Sequence, residues 1–254
     1  MNSVVSRGRN ATPRDVVVVG APRSGTSMVA GLFVAAGHDP GRKLIPPTPA
    51  NPTGFHEDLD VNALNDELLA PHLGAEHAAS GTRLAWLAAL APTAVPTATP
   101  AQERRMAEHL RRRPFCVKDP RLAFTLDAWR PVLGPEVCFV AVFRHPAAVV
   151  RSVLRHAERD PAHFAGFDVT VERVLRMWTA VNRRILDRHA HQGPWLFVDA
   201  DALAATGDVA PLGRHVGAEV PIGRIRPALL SPPAAAVPPD ALALHAELLA
   251  RRSP

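Results

Sequence analysis

Hydrophobic positions recur along this chain in two periods. Val16 to Val19 is an unbroken run of four β-branched residues, the pattern of a strand covered on both faces rather than one alternating between core and water. Three further apolar runs read as strands: Phe115 into Lys118, Val137 to Phe143, and Trp195 to Val198. Between them the period changes to that of a helix. After Val19 the chain passes through a glycine-bounded loop into a stretch where Met28, Leu32, Val34 and Ala35 share a side, ended by Gly37. A helix from Val61 towards Leu69, capped by Asp58 or Asp60, would bury Leu64, Leu68 and Leu69. Others are expected from Gln102 to Arg113 with Met106 and Leu110 inward, after Pro146 with Val149, Val150 and Val153, and near Asp240 to Leu249. The pattern Val171, Val174, Leu175, Trp178, Val181, Ile185 describes a long core-facing helix within Val169 to His189.

Strands separated by helices make a parallel sheet. The loop after the first strand, Gly20-Ala21-Pro22-Arg23-Ser24-Gly25-Thr26-Ser27, gives that sheet a chemical purpose. Gly20 and Gly25 let the backbone curl so that several N–H groups and the positive end of a helix dipole address one point, a natural seat for phosphate or sulfate. The spacing is nearly that of the nucleotide P-loop, with Thr26 in place of its lysine. Phosphoryl transfer uses that lysine on the β- and γ-phosphates. Here the cation stands inside the loop as Arg23, whose planar fork suits a tetrahedral oxyanion. The expected fold class is α/β, a three-layer P-loop-like fold with a central parallel sheet flanked by helices.

Composition narrows the class. The 254 residues, 47% of them hydrophobic, suffice for one domain, expected over 15–254 after a flexible 1–14, with the Ala-, Thr- and Pro-rich stretch 74–100 as a surface insertion or lid. No apolar run reaches membrane-spanning length, and no leader is legible at the start. Cys116 and Cys138 lie in apolar strands and are expected to be reduced thiols, which fits a cytoplasmic protein and gives no metal site. A net charge of +5 spread without an aromatic stripe, and no Tyr, argue against a nucleic-acid partner. Only Lys43 and Lys118 of the 29 basic residues are lysines, which draws attention to Lys118.

Ligands of open parallel sheets collect at the carboxyl ends of the strands. Lys118 and Asp119 end the second strand and Arg144 the third, so all three are expected near the loop. Asp119 could serve a metal-bound triphosphate; a strand-end ion pair is the plainer reading of Lys118 and Asp119. Glu57, with His56, lies on a loop at the mouth of a helix, where an acid complements the dipole. His145 reads as a cap or packing residue, and Ser152 sits two turns into the helix that follows Arg144.

Together, and in this order, Gly20 to Ser27, Val117-Lys118-Asp119-Pro120-Arg121, and Phe143-Arg144-His145-Pro146 continuing to Arg151-Ser152 resemble the sulfotransferases that use 3′-phosphoadenosine 5′-phosphosulfate (PAPS). The likeness is to bacterial members acting on carbohydrates or natural products and covers roughly residues 15 to 200. It implies that Arg23, Ser24, Gly25, Thr26 and Ser27 hold the 5′-phosphosulfate and that Arg144 and Ser152 bind the 3′-phosphate. Lys118 would stand beside the transferring group, with Arg23 also aimed at its charge and no metal involved. A histidine base of the family's better-known branch is replaced here by Pro120. The stretch Asn51 to Glu57 resembles the one bearing a glutamate base in the carbohydrate-directed branch, which makes Glu57 the catalytic base and His56 its competitor. The adenine-stacking tryptophan is replaced by Met28, leaving Arg224 or Arg226 as guesses for that end of the nucleotide. The resemblance implies a small-molecule or carbohydrate acceptor, and a homo-oligomer is compatible with it. The competing classes are a P-loop-type kinase or NTPase without its lysine, and a catalytically dead binding protein.

Overall fold

The structure, a computed structural model, describes residues 12–49, 51–77, 81–224 and 236–252. Arg226 and nearly all of 1–14 lie outside the described residues, and Arg224 is described only in its backbone.

Four parallel strands form the sheet, β1 (Val16–Val19), β2 (Cys116–Lys118), β3 (Cys138–Phe143) and β4 (Trp195–Asp199), in the spatial order β2-β1-β3-β4. The register sets Val18 beside Lys118, Val19 beside Ala141, and Phe143 beside Asp199. All strands therefore end at one edge. The chain leaves β1 for β2 on one flank and returns to β3 on the other, so the order reverses at β1, where ligands of such sheets bind.

The four valines divide their side chains between two cores, as the pleat requires. Val16 and Val18 pack with Cys116, Cys138, Val140 and Val142 under α1 (Thr26–Ala35) and two short helices, α7 (Ala200–Thr206) and α8 (Ala210–Val216). Val17 and Val19 join Phe139, Ala141 and Phe143 in the larger core. That core is built with α2 (Leu59–Leu69), α3 (Pro100–His109), α4 (Leu122–Trp129), α5 (Pro146–Arg159), α6 (Val171–Arg184) and α9 (Pro239–Ala250). The result is the three-layer α/β arrangement expected of buried parallel strands.

Local chemistry sets the helix ends. Asp58 rather than Asp60 caps α2, its carboxylate accepting from the Asp60 amide at 2.8 Å. Thr99 and Gln102 form a capping box that starts α3 two residues before the expected Gln102, and the helix ends at His109, short of Arg113. Pro146 occupies the first turn of α5, with the His145 imidazole accepting from the Ala147 amide at 3.2 Å. Thr170 caps α6, which continues as a π-helical turn over Ile185–His189.

Several elements differ from the sequence pattern, and the short helices α4, α7 and α8 were not among those expected. On α1 the buried apolar side chains are Val29, Ala30, Leu32 and Phe33, while Val34 is half-buried and Ala35 exposed. A helix this apolar shows no polar face, so its rotation is fixed by the sheet it lies on. The same reason hides α4, in which seven of the eight residues are buried. Within 74–100, Leu84, Ala85, Leu87 and Leu90 belong to the larger core, and Arg184 of α6 donates to the carbonyls of Pro92, at 2.6 Å, and Ala94.

Gly20 is where strand and loop meet β3. A Cβ there would stand 2.2 Å from the Val142 carbonyl oxygen, which belongs to the ladder and has nowhere to move. Gly20→Ala is therefore expected to destabilise the fold by about 1–3 kcal/mol, read from the urea midpoint; an unchanged midpoint would mean that the strands part without cost.

Candidate functional site

The loop between β1 and α1 holds two left-handed residues, Arg23 at φ 67° and Gly25 at φ 87°. Gly25 carries no strain there, and a Cβ on it would lie 2.7 Å from that of Ala200. Arg23 has no such freedom, so its conformation is imposed by the turn, in which the Ser24 amide donates to the Ala21 carbonyl at 3.1 Å. The turn delivers the chain into α1 with the first-turn amides at the sheet's carboxyl edge, the geometry that favours an anion. Ser24 is fully buried, and its hydroxyl has no hydrogen-bond partner among the described residues.

Arg23 turns towards α5, where its Nε donates to Ser152 Oγ at 3.0 Å. Burial pushes its guanidinium below the ordinary arginine value, and the neighbouring charge of Arg144 adds to the effect. Arg144 at the end of β3 is itself buried; its Nε donates to Asp201 Oδ1 of α7 at 2.7 Å, and its carbonyl accepts from Trp178 Nε1 at 3.2 Å. Trp178 is thus a core residue that also pins the backbone of Arg144. The loop, β3 and α5 bring Arg23, Arg144 and Ser152 into one group, although 129 positions separate Arg23 from Ser152. Arg23 is half-buried and Arg144 is buried with Asp201 as its counter-charge; an anion seated between the two guanidiniums would relieve their mutual repulsion.

A second group lines the same cavity. Lys118, at the end of β2, pairs with Glu57 Oε1, and both side chains are buried. Lys118 Nζ also reaches Ser27 Oγ at 3.3 Å, so one ammonium links Glu57 to the first turn of α1. Ser27 Oγ accepts in addition from Asn51 Nδ2 at 3.3 Å, and Glu57 Oε2 from Asn62 Nδ2 at 3.1 Å. His56 lies elsewhere: with φ 54° its imidazole packs on Gly31 of α1, where a Cβ would meet Nε2 at 2.8 Å.

Asp119 is fully buried and turned to its own chain, accepting from the Arg121 amide at 2.7 Å and Arg121 Nη1 at 3.1 Å. Arg121 Nε in turn contacts Asp66 Oδ1 at 2.6 Å. The carboxylate that a magnesium triphosphate would need is thus committed to a neighbouring guanidinium.

Arg23, Ser27, Glu57, Lys118, Arg144 and Ser152 line one cavity of about 770 Å³, within the range of small-molecule sites. Gly25, Thr26 and Met28 line it as well, while Ser24 is fully buried and is not among the lining residues. Several lining residues went unmarked in the sequence: Asn62, Trp86, Arg155, His156 and Arg159. Positions 152, 155, 156 and 159 repeat at helical spacing, which is the signal that would have found three of them. His156 is buried; burial first, then the charges of Arg23 and His163, bring its pKa down to about 4, so its ring is neutral at physiological pH.

The Sulfotransferase family profile matches residues 13–201. No curated protein matches. Among solved structures, the sulfotransferase domain of the Synechococcus PCC 7002 olefin synthase is similar at 19% identity and TM-score 0.51, covering 97% of this chain and 98% of its own. The sulfotransferase domain from the curacin biosynthetic pathway is similar at 12% identity and TM-score 0.52, covering 95% and 99%. At these identities the two structures speak for the fold, while the profile spans the loop, the Lys118 strand end and the Arg144 strand end together. The chain belongs to the sulfotransferase family.

Proposed function

We propose that this chain transfers a sulfuryl group from PAPS to a hydroxyl of a small-molecule or carbohydrate acceptor. The observation that carries the reading is the convergence, in one cavity, of an anion-seating loop, the Arg23, Arg144 and Ser152 group, and the buried pair of Glu57 with Lys118.

In this reading PAPS is the donor substrate. Arg23, Ser24, Gly25, Thr26 and Ser27 form the phosphosulfate seat, with the amides and dipole of α1 supplying partial positive charge. Arg144 and Ser152 take the 3′-phosphate through charge-assisted hydrogen bonds. The acceptor hydroxyl oxygen attacks sulfur, the bond from sulfur to the bridging phosphate oxygen breaks, and adenosine 3′,5′-bisphosphate (PAP) leaves. Glu57 accepts the hydroxyl proton, a role contributing about 10²–10⁴ in rate. As Glu57 becomes neutral, the Lys118 ammonium loses its counter-charge and is left to stabilise the oxygen of the departing phosphate. The protein thus needs no reorganisation to place a cation where negative charge develops. Asn62 holds the other Glu57 oxygen and fixes the direction in which the carboxylate faces.

The triphosphate reading is not favoured, because Asp119 is committed to Arg121. No helix among the described residues is long and apolar enough to cross a membrane. The two buried free thiols support our assignment to the reducing cytoplasm.

Thermal denaturation tests the donor. PAP at about 100 times its Kd stabilises by about 2.7 kcal/mol, which for a chain of this size raises Tm by about 5–10 °C. We expect that rise without added metal, and none with ATP and Mg²⁺. A rise with the magnesium triphosphate but not with PAP would overturn the assignment.

A further inference from the structure

An acceptor has to reach Glu57, so the side chains around that carboxylate decide what body can carry the hydroxyl. Leu44 forms an antiparallel bridge with Asp58, in which the Ile45 amide donates to the Glu57 carbonyl at 2.9 Å and the Leu59 amide to the Lys43 carbonyl at 2.8 Å. Residues directly opposite in such a pair share a face. Ile45 is therefore the neighbour of Glu57 across the pair, and both line the cavity. Phe55, two positions before Glu57, lines it as well and is half-buried.

The helix that follows Glu57 continues this wall. Leu59, Asn62, Ala63 and Asp66 of α2 line the cavity at i, i+3, i+4 and i+7, the spacing of one helix face. Leu64, Leu68 and Leu69 of the same helix are buried in the larger core, whereas Leu59 is 49% exposed. Trp86 lies in the 3₁₀ segment Gly81–Leu87, which packs on α2, and lines the cavity too. Apolar side chains thus border the cavity on the segments that hold Glu57 or pack on its helix.

The polar side chains among them are engaged by the protein. Lys118 holds Glu57, and Arg121 holds Asp66. Asn62 donates to Glu57, Asn51 to Ser27, and Thr53 Oγ1 to Asn51 Oδ1 at 3.2 Å. Of the remaining charged lining residues, Arg23 and Arg144 serve the donor as read above, while Arg155, Arg159 and Asp160 belong to α5 and its cap, the element that carries Ser152. A sugar ring laid against Ile45, Phe55 and Leu59 would give up water from several hydroxyls without bonds in return. A hydrocarbon laid there releases water from both surfaces.

We propose that the acceptor carries its hydroxyl on an apolar body, as an alkyl or aryl alcohol rather than a sugar: the hydroxyl faces Glu57 and the hydrocarbon lies along Ile45, Phe55, Leu59, Ala63 and Trp86. This rests on the PAPS reading, which makes Glu57 the base and so fixes where the hydroxyl must stand.

Transfer of ³⁵S from PAPS tests this with a homologous series, 1-butanol, 1-hexanol and 1-octanol, with phenol against 4-butylphenol, and with glucose as the six-carbon polyol to set against 1-hexanol. Each methylene that the wall takes up should raise kcat/KM about two- to fourfold, which makes about 16- to 250-fold from butanol to octanol. A rise in either series carries the proposal, and the steeper one shows which body fits. 1-Hexanol should exceed glucose by on the order of tenfold. Leu59→Ser, with a thermal melt as its folding control, should reduce the gain per methylene while PAP affinity stays within about threefold, as for an exposed substitution outside the donor site; Leu59→Met, which keeps an apolar side chain, should preserve the gain. Both series flat or falling with added carbons, glucose matching or exceeding 1-hexanol, no transfer to any of these alcohols by protein that binds PAP, or a gain per methylene that Leu59→Ser leaves intact overturns the proposal. Wild-type protein that ignores PAP overturns the donor reading instead. Titration calorimetry of the unliganded wild type and Leu59→Ser with 1-butanol and 1-octanol then decides whether the wall takes hydrocarbon, equal binding of the two alcohols overturning it.

Discussion

Glu57→Gln is expected to lower sulfuryl transfer by about 10²–10⁴ while leaving PAP affinity within a few-fold of wild type or slightly tighter. The amide keeps the shape of the carboxylate and one acceptor oxygen for Lys118, while its NH2 faces Asn62 as a donor, and it cannot take a proton at neutral pH. Removing the negative charge also frees the Lys118 ammonium to face the donor, so binding has a reason to strengthen and none to weaken. The cost falls on stability, because a buried ammonium is left without its counter-charge. A thermal melt separates that effect from catalysis, and the rate is read in single-turnover experiments with ³⁵S-labelled PAPS. A large fall in PAP affinity would instead make Glu57 a residue that holds Lys118 in place for the nucleotide.

Arg144→Ala is expected to do the reverse, raising the Kd for PAP about 10- to 100-fold, the worth of a hydrogen bond to a charged group at about 1.5–3 kcal/mol. Turnover at saturating donor should change little, since the 3′-phosphate lies away from the reacting sulfur. Asp201, the other partner of Arg144, is 39% exposed and returns to water when the guanidinium goes, so the substitution leaves no buried orphan charge there. Arg144→Lys should recover only part of the affinity, because an ammonium cannot reproduce the planar fork. Titration calorimetry with PAP decides it, and an unchanged Kd would remove Arg144 from the donor site. The two substitutions have opposite signatures, which separates a binding role from a chemical one whatever the acceptor is.

The loop was legible because its demands are local. Two glycines, an arginine and hydroxyl residues between a β-branched run and a helix need nothing from the rest of the chain to be read as an anion seat. The strand ends were legible for a similar reason, since parallel strands deliver their last residues to one edge. The union of Arg23 with Ser152 was not legible from spacing. The resemblance to a family did not supply it either, since it pairs Ser152 with Arg144; only the structure brings Arg23 and Ser152 within hydrogen-bond distance. Arg155, His156 and Arg159 lay outside both routes, being neither at a strand end nor in a motif, although their helical period was present in the sequence all along. α4 escaped because a helix buried on nearly every side shows no contrast between apolar and polar faces.

By itself the sequence determined the strands, most of the helices and the α/β class, since each follows from hydrophobic period, turn residues and caps within a few positions of one another. Tertiary structure alone decided which distant charges meet. Glu57 with Lys118, Arg23 with Arg144, and Asp119 turned to Arg121 rather than to the cavity are outcomes of how helices settle on a twisted sheet. That settling is driven by burial of apolar surface, which is not directional, and it therefore leaves no local mark in the chain to say which polar groups it will bring face to face.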